Sequence, residues 1–138
     1  MRANATAQQV RAENRNGATA VEFAVVAPVI LLLFLGAVEI NNLNFIKHTA
    51  ANAAYEGART AIVAGGSTQL ATQRAHECLD SFGVGNGAEV LIGESSDRIT
   101  VTVRVPAHLN SYGLSRFTGN LHVTQTCAMS RENRQAEP

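Results

Sequence analysis

The feature that most constrains this chain is an uncharged apolar segment close to its amino terminus. Residues 24–38 contain no Asp, Glu, Lys or Arg, and Glu22 is the one acidic residue just before them. The run from Phe23 to Val38 would be about 24 Å long as a helix. A bilayer core requires about 20 residues, and the flanking residues 18–21 and 40–46 can supply the remainder. We therefore expect an apolar helix that either anchors the protein in a membrane or directs its export.

Charge on the two sides of this segment predicts its orientation. The leader, residues 1–17, has three arginines and one glutamate, whereas the residues after the segment are acidic or neutral until Lys47. Positive charge is retained on the cytoplasmic side of a membrane helix. The amino terminus is therefore expected in the cytoplasm, with residues 41–138 outside the inner membrane. The leader offers no apolar face and is expected to be disordered.

The remainder of the chain predicts an α+β fold. Helical spacing continues from the apolar run to residue 64, and Gly65-Gly66-Ser67 ends it. A second helix is expected over Thr68–Phe82, with Leu70 and Leu79 on its inner side. Alternating apolar residues then predict an antiparallel sheet with a hairpin, its strands at Glu89–Gly93, Asp97–Val105 and Leu121–Ser130. The predicted regions are a leader (1–17), a membrane and stem helix (18–64), an outer domain (65–130) and a flexible tail (131–138).

Small residues line one face of the stem helix between residues 41 and 64. Alanines and Gly57 recur there at three- and four-residue spacing. Such a face lets a second helix approach closely, which suits a bundle of stems from several subunits. The same face could instead pack on the sheet of its own chain. The sequence leaves both interpretations open.

The two cysteines, Cys78 and Cys127, are predicted to form a disulfide. Cys78 lies on the inner side of the second helix and Cys127 on the inner side of the last strand. An exported domain permits a disulfide, and closing a loop of about 50 residues would contribute about 4 kcal/mol on the chain-entropy estimate. The alternative is two buried free thiols.

Two stretches resemble the TadE-like family of pilin-like proteins, which belong to the tight-adherence (Flp, type IVb) pilus machinery. The first is RNGATAVEFAVVAPV at residues 15–29, and the second is AAYEGARTA at residues 53–61. The resemblance covers roughly residues 15–62, less than half of the chain. It implies a pilin-like fold, a pseudopilin role and, as partners, the inner membrane, other pilins and pseudopilins, and the pilus assembly platform.

The resemblance also implies roles for four residues at the start of the apolar segment. Gly17 and Ala18 are similar to a prepilin processing site, so that a prepilin peptidase would cut between them. Glu22 and Phe23 would then follow the new amino terminus, with Glu22 pairing with the terminal amine of a neighbouring subunit to set the register of assembly. The Ala18 amine and the Glu22 carboxylate share one helix face at this spacing. A simpler interpretation is a glutamate placed favourably at the positive end of the helix dipole.

Other functions have little support in the sequence. The net charge is zero, which gives no footprint for nucleic acid. His76, Cys78, His122 and Cys127 are zinc-type ligands without the spacing of a zinc site, and no cofactor motif or paired nucleophile and base is present. We therefore expect no enzymatic activity, no metal and no cofactor.

Two functional hypotheses remain. The first is a membrane-anchored TadE-like pseudopilin that acts by helix packing in pilus biogenesis, cell adhesion or secretion. The second is an exported soluble binding module that signal peptidase releases. The mature amino terminus distinguishes them: Ala18 for the first, a position near Val38 for the second.

Overall fold

The computed structural model describes residues 2–63, 66–111 and 119–130, with side chains described from residue 17 onward. Its first element is one long helix, α1, which spans Arg2–Ile62 and continues through Pro28. The helix begins at Arg2, whereas the sequence predicted a disordered leader up to Gly17. The leader has four Ala, three Arg and two Gln, which have high helix propensity, and this composition explains the difference. The predicted tail and residues 112–118 of the last loop lie outside the described residues.

The chain divides into two compact units, Met1–Val38 and Glu39–Pro138. The first unit holds the apolar part of α1. The second, called here the outer unit, contains the end of α1 together with all the remaining elements.

The second helix, α2, spans Thr68–Ser81, close to the predicted bounds. It begins at Ser67, whose hydroxyl accepts a hydrogen bond from the Leu70 amide at 3.1 Å. This is the usual way in which a serine satisfies a free amide in the first turn of a helix. Leu79 is fully buried as predicted, but Leu70 is 44% exposed and does not belong to the core.

Three antiparallel strands form a sheet in the order β1-β2-β3. They span Glu89–Glu94 (β1), Arg98–Pro106 (β2) and His122–Ser130 (β3). The first two form the predicted hairpin. A 3₁₀ turn at Ala107–Leu109 follows β2 within the segment predicted as a loop. The α+β fold expected from the sequence is confirmed.

The core of the outer unit is built from the inner face of the sheet and small residues of both helices. Its fully buried members in β2 alternate along the strand, which accounts for the alternation in the sequence. From α1 and α2 the core takes Ile46, Leu79 and a set of alanines (Ala50, Ala53, Ala54, Ala58, Ala61, Ala71 and Ala75). The small-residue face of α1 therefore packs within its own outer unit over this stretch.

Gly57 lies where α1, α2 and β2 meet. A Cβ atom at this position would stand 3.3 Å from the Ala71 carbonyl oxygen and 3.4 Å from both the Ala75 Cβ and the Val101 Cγ1. The glycine is therefore a place of close approach: a Cβ would be tight against the Ala71 carbonyl oxygen, and a side chain that extends beyond Cβ would have to displace its neighbours.

Candidate functional site

The apolar part of α1 exposes its side chains. Phe23 is 70% exposed, Leu33 is 70% exposed, and Phe34 is 63% exposed. Helix residues 17–62 include an 18-residue window with a mean hydropathy of 2.6, of which 6% is buried. In length and composition this is the one helix among the described residues that could cross a membrane, and a signal sequence near the amino terminus meets the same criterion.

The four residues predicted for processing and register lie together at the start of this exposed region. Gly17, Ala18, Glu22 and Phe23 are all in α1 and all exposed. A Cβ atom at Gly17 would meet no atom within 4 Å, so packing does not explain the glycine. The helix spacing places Ala18 and Glu22 one turn apart on one face. Their roles stay predictions.

A polar cluster that the sequence did not reveal lies at the beginning of the outer unit. Glu39 and Asn42 are both buried, at 9% and 8% exposure. The Ser111 hydroxyl lies 2.8 Å and 3.0 Å from the two carboxylate oxygens of Glu39 and donates to them. The Asn42 side-chain amide donates to the Asn110 carbonyl oxygen at 3.2 Å. These bonds hold the segment after the 3₁₀ turn against α1.

Asn110 connects the loops on this side of the outer unit. Its side-chain amide donates to the carbonyl oxygens of Asn86 at 3.0 Å and Pro106 at 2.9 Å. The Asn42–Asn110 and Glu39–Ser111 bonds join residues 68 and 72 positions apart, so no local pattern could have predicted them. The sequence shows only that an acidic residue, Glu39, directly follows an apolar run. This pattern does not indicate that its side chain is buried.

Cys78 and Cys127 are free thiols, both half-buried at the edge of the core. The structure therefore does not contain the predicted disulfide. The helix α2 contacts β1 at one edge of the sheet, whereas Cys127 is in β3 at the opposite edge. A disulfide requires Cα atoms within about 7 Å, and inner-face positions on two different elements do not by themselves bring two cysteines that close. Burial, and to a smaller extent the Glu56 carboxylate, raises the pKa of the Cys78 thiol.

The histidines and the arginines show no assembled catalytic or metal site in the described part of the chain. No group of three or more His, Cys, Asp and Glu residues there could hold a metal ion. The rings of His108 and His122 meet edge to face, with centroids 6.4 Å apart. Arg59 is exposed beside a shallow cleft that Arg74 also lines. Arg74 forms an exposed ion pair with Glu77 at 3.1 Å.

These features define a class: an α+β protein in which a small helix-and-sheet unit follows an exposed apolar helix long enough to span a membrane. Residues 17–59 match the model of a known family, described as TadE-like protein. The match confirms the TadE-like resemblance over that segment, which is less than half of the chain. A TadE-like segment on an apolar amino-terminal helix fits a component of a Tad pilus. Comparison with curated proteins gave no match, and neither did comparison with solved structures.

Proposed function

We propose that this protein is a membrane-anchored, pilin-like component of a tight-adherence pilus or of the related secretion machinery. It works by helix packing and assembly and performs no catalysis. The leader remains in the cytoplasm, the apolar part of α1 lies in the inner membrane, and the outer unit faces the extracytoplasmic side.

The observation that carries the proposal is a difference in side-chain exposure between two parts of α1. Between Ile46 and Ala61 one face of the helix is buried in the outer unit, but between Val21 and Phe34 every large apolar side chain is at least half exposed. Exposed apolar surface on this scale requires a cover. A bilayer or a bundle of similar helices provides it, and both are present in a membrane-rooted pilus. The family match extends across both parts of the helix.

Processing and register complete the proposal. Prepilin peptidase cuts between Gly17 and Ala18, and Phe23 continues the packing surface of the mature helix. The Glu22 carboxylate then pairs with the new amine of a neighbouring subunit. In a membrane an unpaired carboxylate costs several kcal/mol, so the pair would select one register over the alternatives.

The experiment has two measurements, made in a strain that lacks its own copy of the protein. Mass spectrometry of the membrane-extracted chain should show an amino terminus at Ala18. Glu22→Gln should reduce surface piliation while the amount of protein in the membrane stays the same. Glu56→Gln is the matched control, because Glu56 is an exposed glutamate of the same helix within the outer unit. Normal piliation with Glu22→Gln would exclude the register role.

A second candidate is a soluble binding module that signal peptidase releases. The boundary between the two compact units at Val38 and Glu39 favours it, because cleavage there would free the whole outer unit. The same mass spectrum tests this candidate. A mature chain that begins near Val38 supports it, and an intact Met1 indicates an unprocessed membrane anchor.

A further inference from the structure

The end of the outer unit where α1 enters it has an unusual surface. Three loop segments meet there, residues 82–88, 106–111 and 119–122. They are placed by contacts already described: Asn110 bonds to Asn42 and Asn86, and the Ala107 amide donates to the Leu121 carbonyl oxygen at 2.9 Å. This end is called here the basal surface.

Large apolar side chains stand exposed on the basal surface. Phe45 and Phe82 are 44% and 52% exposed, and their rings meet edge to face with centroids 6.2 Å apart. Leu109 and Leu121 are 51% and 47% exposed. Phe45 is on α1, Phe82 follows the last turn of α2, and the two leucines come from the loops around the end of β2. Four separate parts of the chain thus place apolar groups at one end.

Charged side chains are scarce on the basal loops, where the exposed apolar side chains are concentrated. The three basal loop segments contain no Asp, Glu, Lys or Arg, and the nearest exposed cation on α1 is Lys47, two residues after Phe45. The carboxylate of Asp80 lies against Gly85 at their border. In contrast, the β1–β2 turn at the far end of the sheet carries Glu94, Asp97 and Arg98. At the basal end the acidic Glu39 is buried under the Ser111 hydroxyl, so that its charge is removed from the surface.

We propose that the basal surface rests on the lipid bilayer, with Phe45, Phe82, Leu109 and Leu121 inserted at the level of the headgroups. Exposed apolar groups surrounded by uncharged polar residues suit the membrane interface, where their apolar parts are buried and their polar neighbours stay hydrated. This inference rests on the proposed membrane anchoring. It adds a second contact, which fixes the height and tilt of the outer unit over the membrane.

The position of the surface along α1 argues for a bilayer as its occupant. The apolar run ends at Val38, and Phe45 lies six residues after Glu39 in the same helix. Six residues rise about 9 Å, and the headgroup layer on each side of a bilayer is about 5–8 Å thick. Side chains on a helix lean toward its amino terminus, so the Phe45 ring, and the Phe82 ring beside it, reach back from this height into the layer.

Single tryptophans can test the proposal, because the chain has none of its own. The full-length protein would be reconstituted into phosphatidylethanolamine–phosphatidylglycerol vesicles with lipids brominated near the carbonyl region. Phe82→Trp and Leu109→Trp report on the basal surface. Leu70→Trp and Leu91→Trp are matched controls, since these leucines are 44% and 61% exposed and lie away from the basal loops. Ile30→Trp, in the middle of the apolar run, reports on anchoring itself in parallel vesicles whose lipids are brominated deep in the acyl chains.

We expect the two basal tryptophans to lose about half of their emission to the brominated lipid and to shift to shorter wavelength, as tryptophans do at the membrane interface. The two control tryptophans should keep their emission. Quenching of Ile30→Trp without quenching of either basal tryptophan overturns the proposal and leaves anchoring intact. Absence of quenching at Ile30→Trp contradicts the proposed function itself.

A second copy of the chain is the competing occupant. It would shift the basal emission to shorter wavelength without quenching by brominated lipid, and the shift would fade as the protein is diluted in lipid. That result also overturns the proposal. Each variant is first checked for a cooperative unfolding transition, and the Leu109 position keeps the test valid if Phe82→Trp does not fold.

Discussion

Replacing Gly57 by valine should destabilise the outer unit, because the three neighbours of a Cβ atom at this position are already at 3.3–3.4 Å. One of them, the Ala71 carbonyl oxygen, is backbone and cannot rotate away. The two γ-methyl groups of valine would extend further toward α2 and β2. We expect α1 to be pushed away from both elements, with a loss of packing around Val101 and Ala75.

The magnitude follows from two opposing effects. Valine has a higher helix propensity than glycine by a few tenths of a kcal/mol, which favours the variant. Overpacking of a tight core costs about 1–3 kcal/mol. The expected net loss is about 2 kcal/mol in the free energy of unfolding, and for a domain of this size that lowers Tm by roughly 8–16 °C. Gly57→Ala should lie near the wild type, since about 1 kcal/mol of helix propensity offsets the tighter contacts.

Thermal unfolding of the full-length chain in detergent micelles, followed by far-ultraviolet circular dichroism, provides the measurement. The matched control is Asn52→Val, at an exposed position one and a half turns earlier in α1. Asn and Val have similar helix propensity, so this control should change stability by less than about 0.5 kcal/mol. A Gly57→Val variant as stable as the wild type would refute the close approach of the three elements. An equal loss of stability in Asn52→Val would show that the β-branched side chain itself, and not overpacking at Gly57, lowers the stability.

Three further outcomes are expected of the outer unit. Leu79→Ala should lower the free energy of unfolding by about 2–5 kcal/mol because Leu79 is fully buried, whereas Leu91→Ala, at a site 61% exposed, should change it by less than about 0.5 kcal/mol in the same denaturation assay. Cys78 should react with iodoacetamide more slowly in the folded chain than in the urea-unfolded chain at neutral pH, because burial raises its pKa and leaves less thiolate; peptide mass spectrometry at timed intervals measures both rates, and equal rates would contradict its burial. Asn42→Ala should cost about 1–3 kcal/mol, because a buried carbonyl oxygen loses its donor, and an unchanged urea midpoint would show that water replaces the amide.

The strand and helix predictions succeeded where the pattern repeats locally. Alternation from Ile99 to Val105 predicted β2, since a strand with one buried face must alternate. The break at Gly65-Gly66-Ser67 predicted a second helix from Thr68, and the structure shows that the Ser67 hydroxyl caps it. The disulfide prediction failed for a non-local reason. Inner-face positions for Cys78 and Cys127 were correct, but sequence pattern does not specify which strand a helix lies over.

The apolar run, its single carboxylate and its TadE-like signature were determined by the sequence, because hydropathy and charge are properties of the residues themselves. The tertiary structure decided how the small-residue face of α1 is used. Gly57 and its neighbouring alanines permit close approach by any element, and only the folded chain shows that α2 and β2 occupy the space. It likewise buried Glu39 and gathered Phe45, Phe82, Leu109 and Leu121 at one end, because both results depend on contacts between residues far apart in the chain.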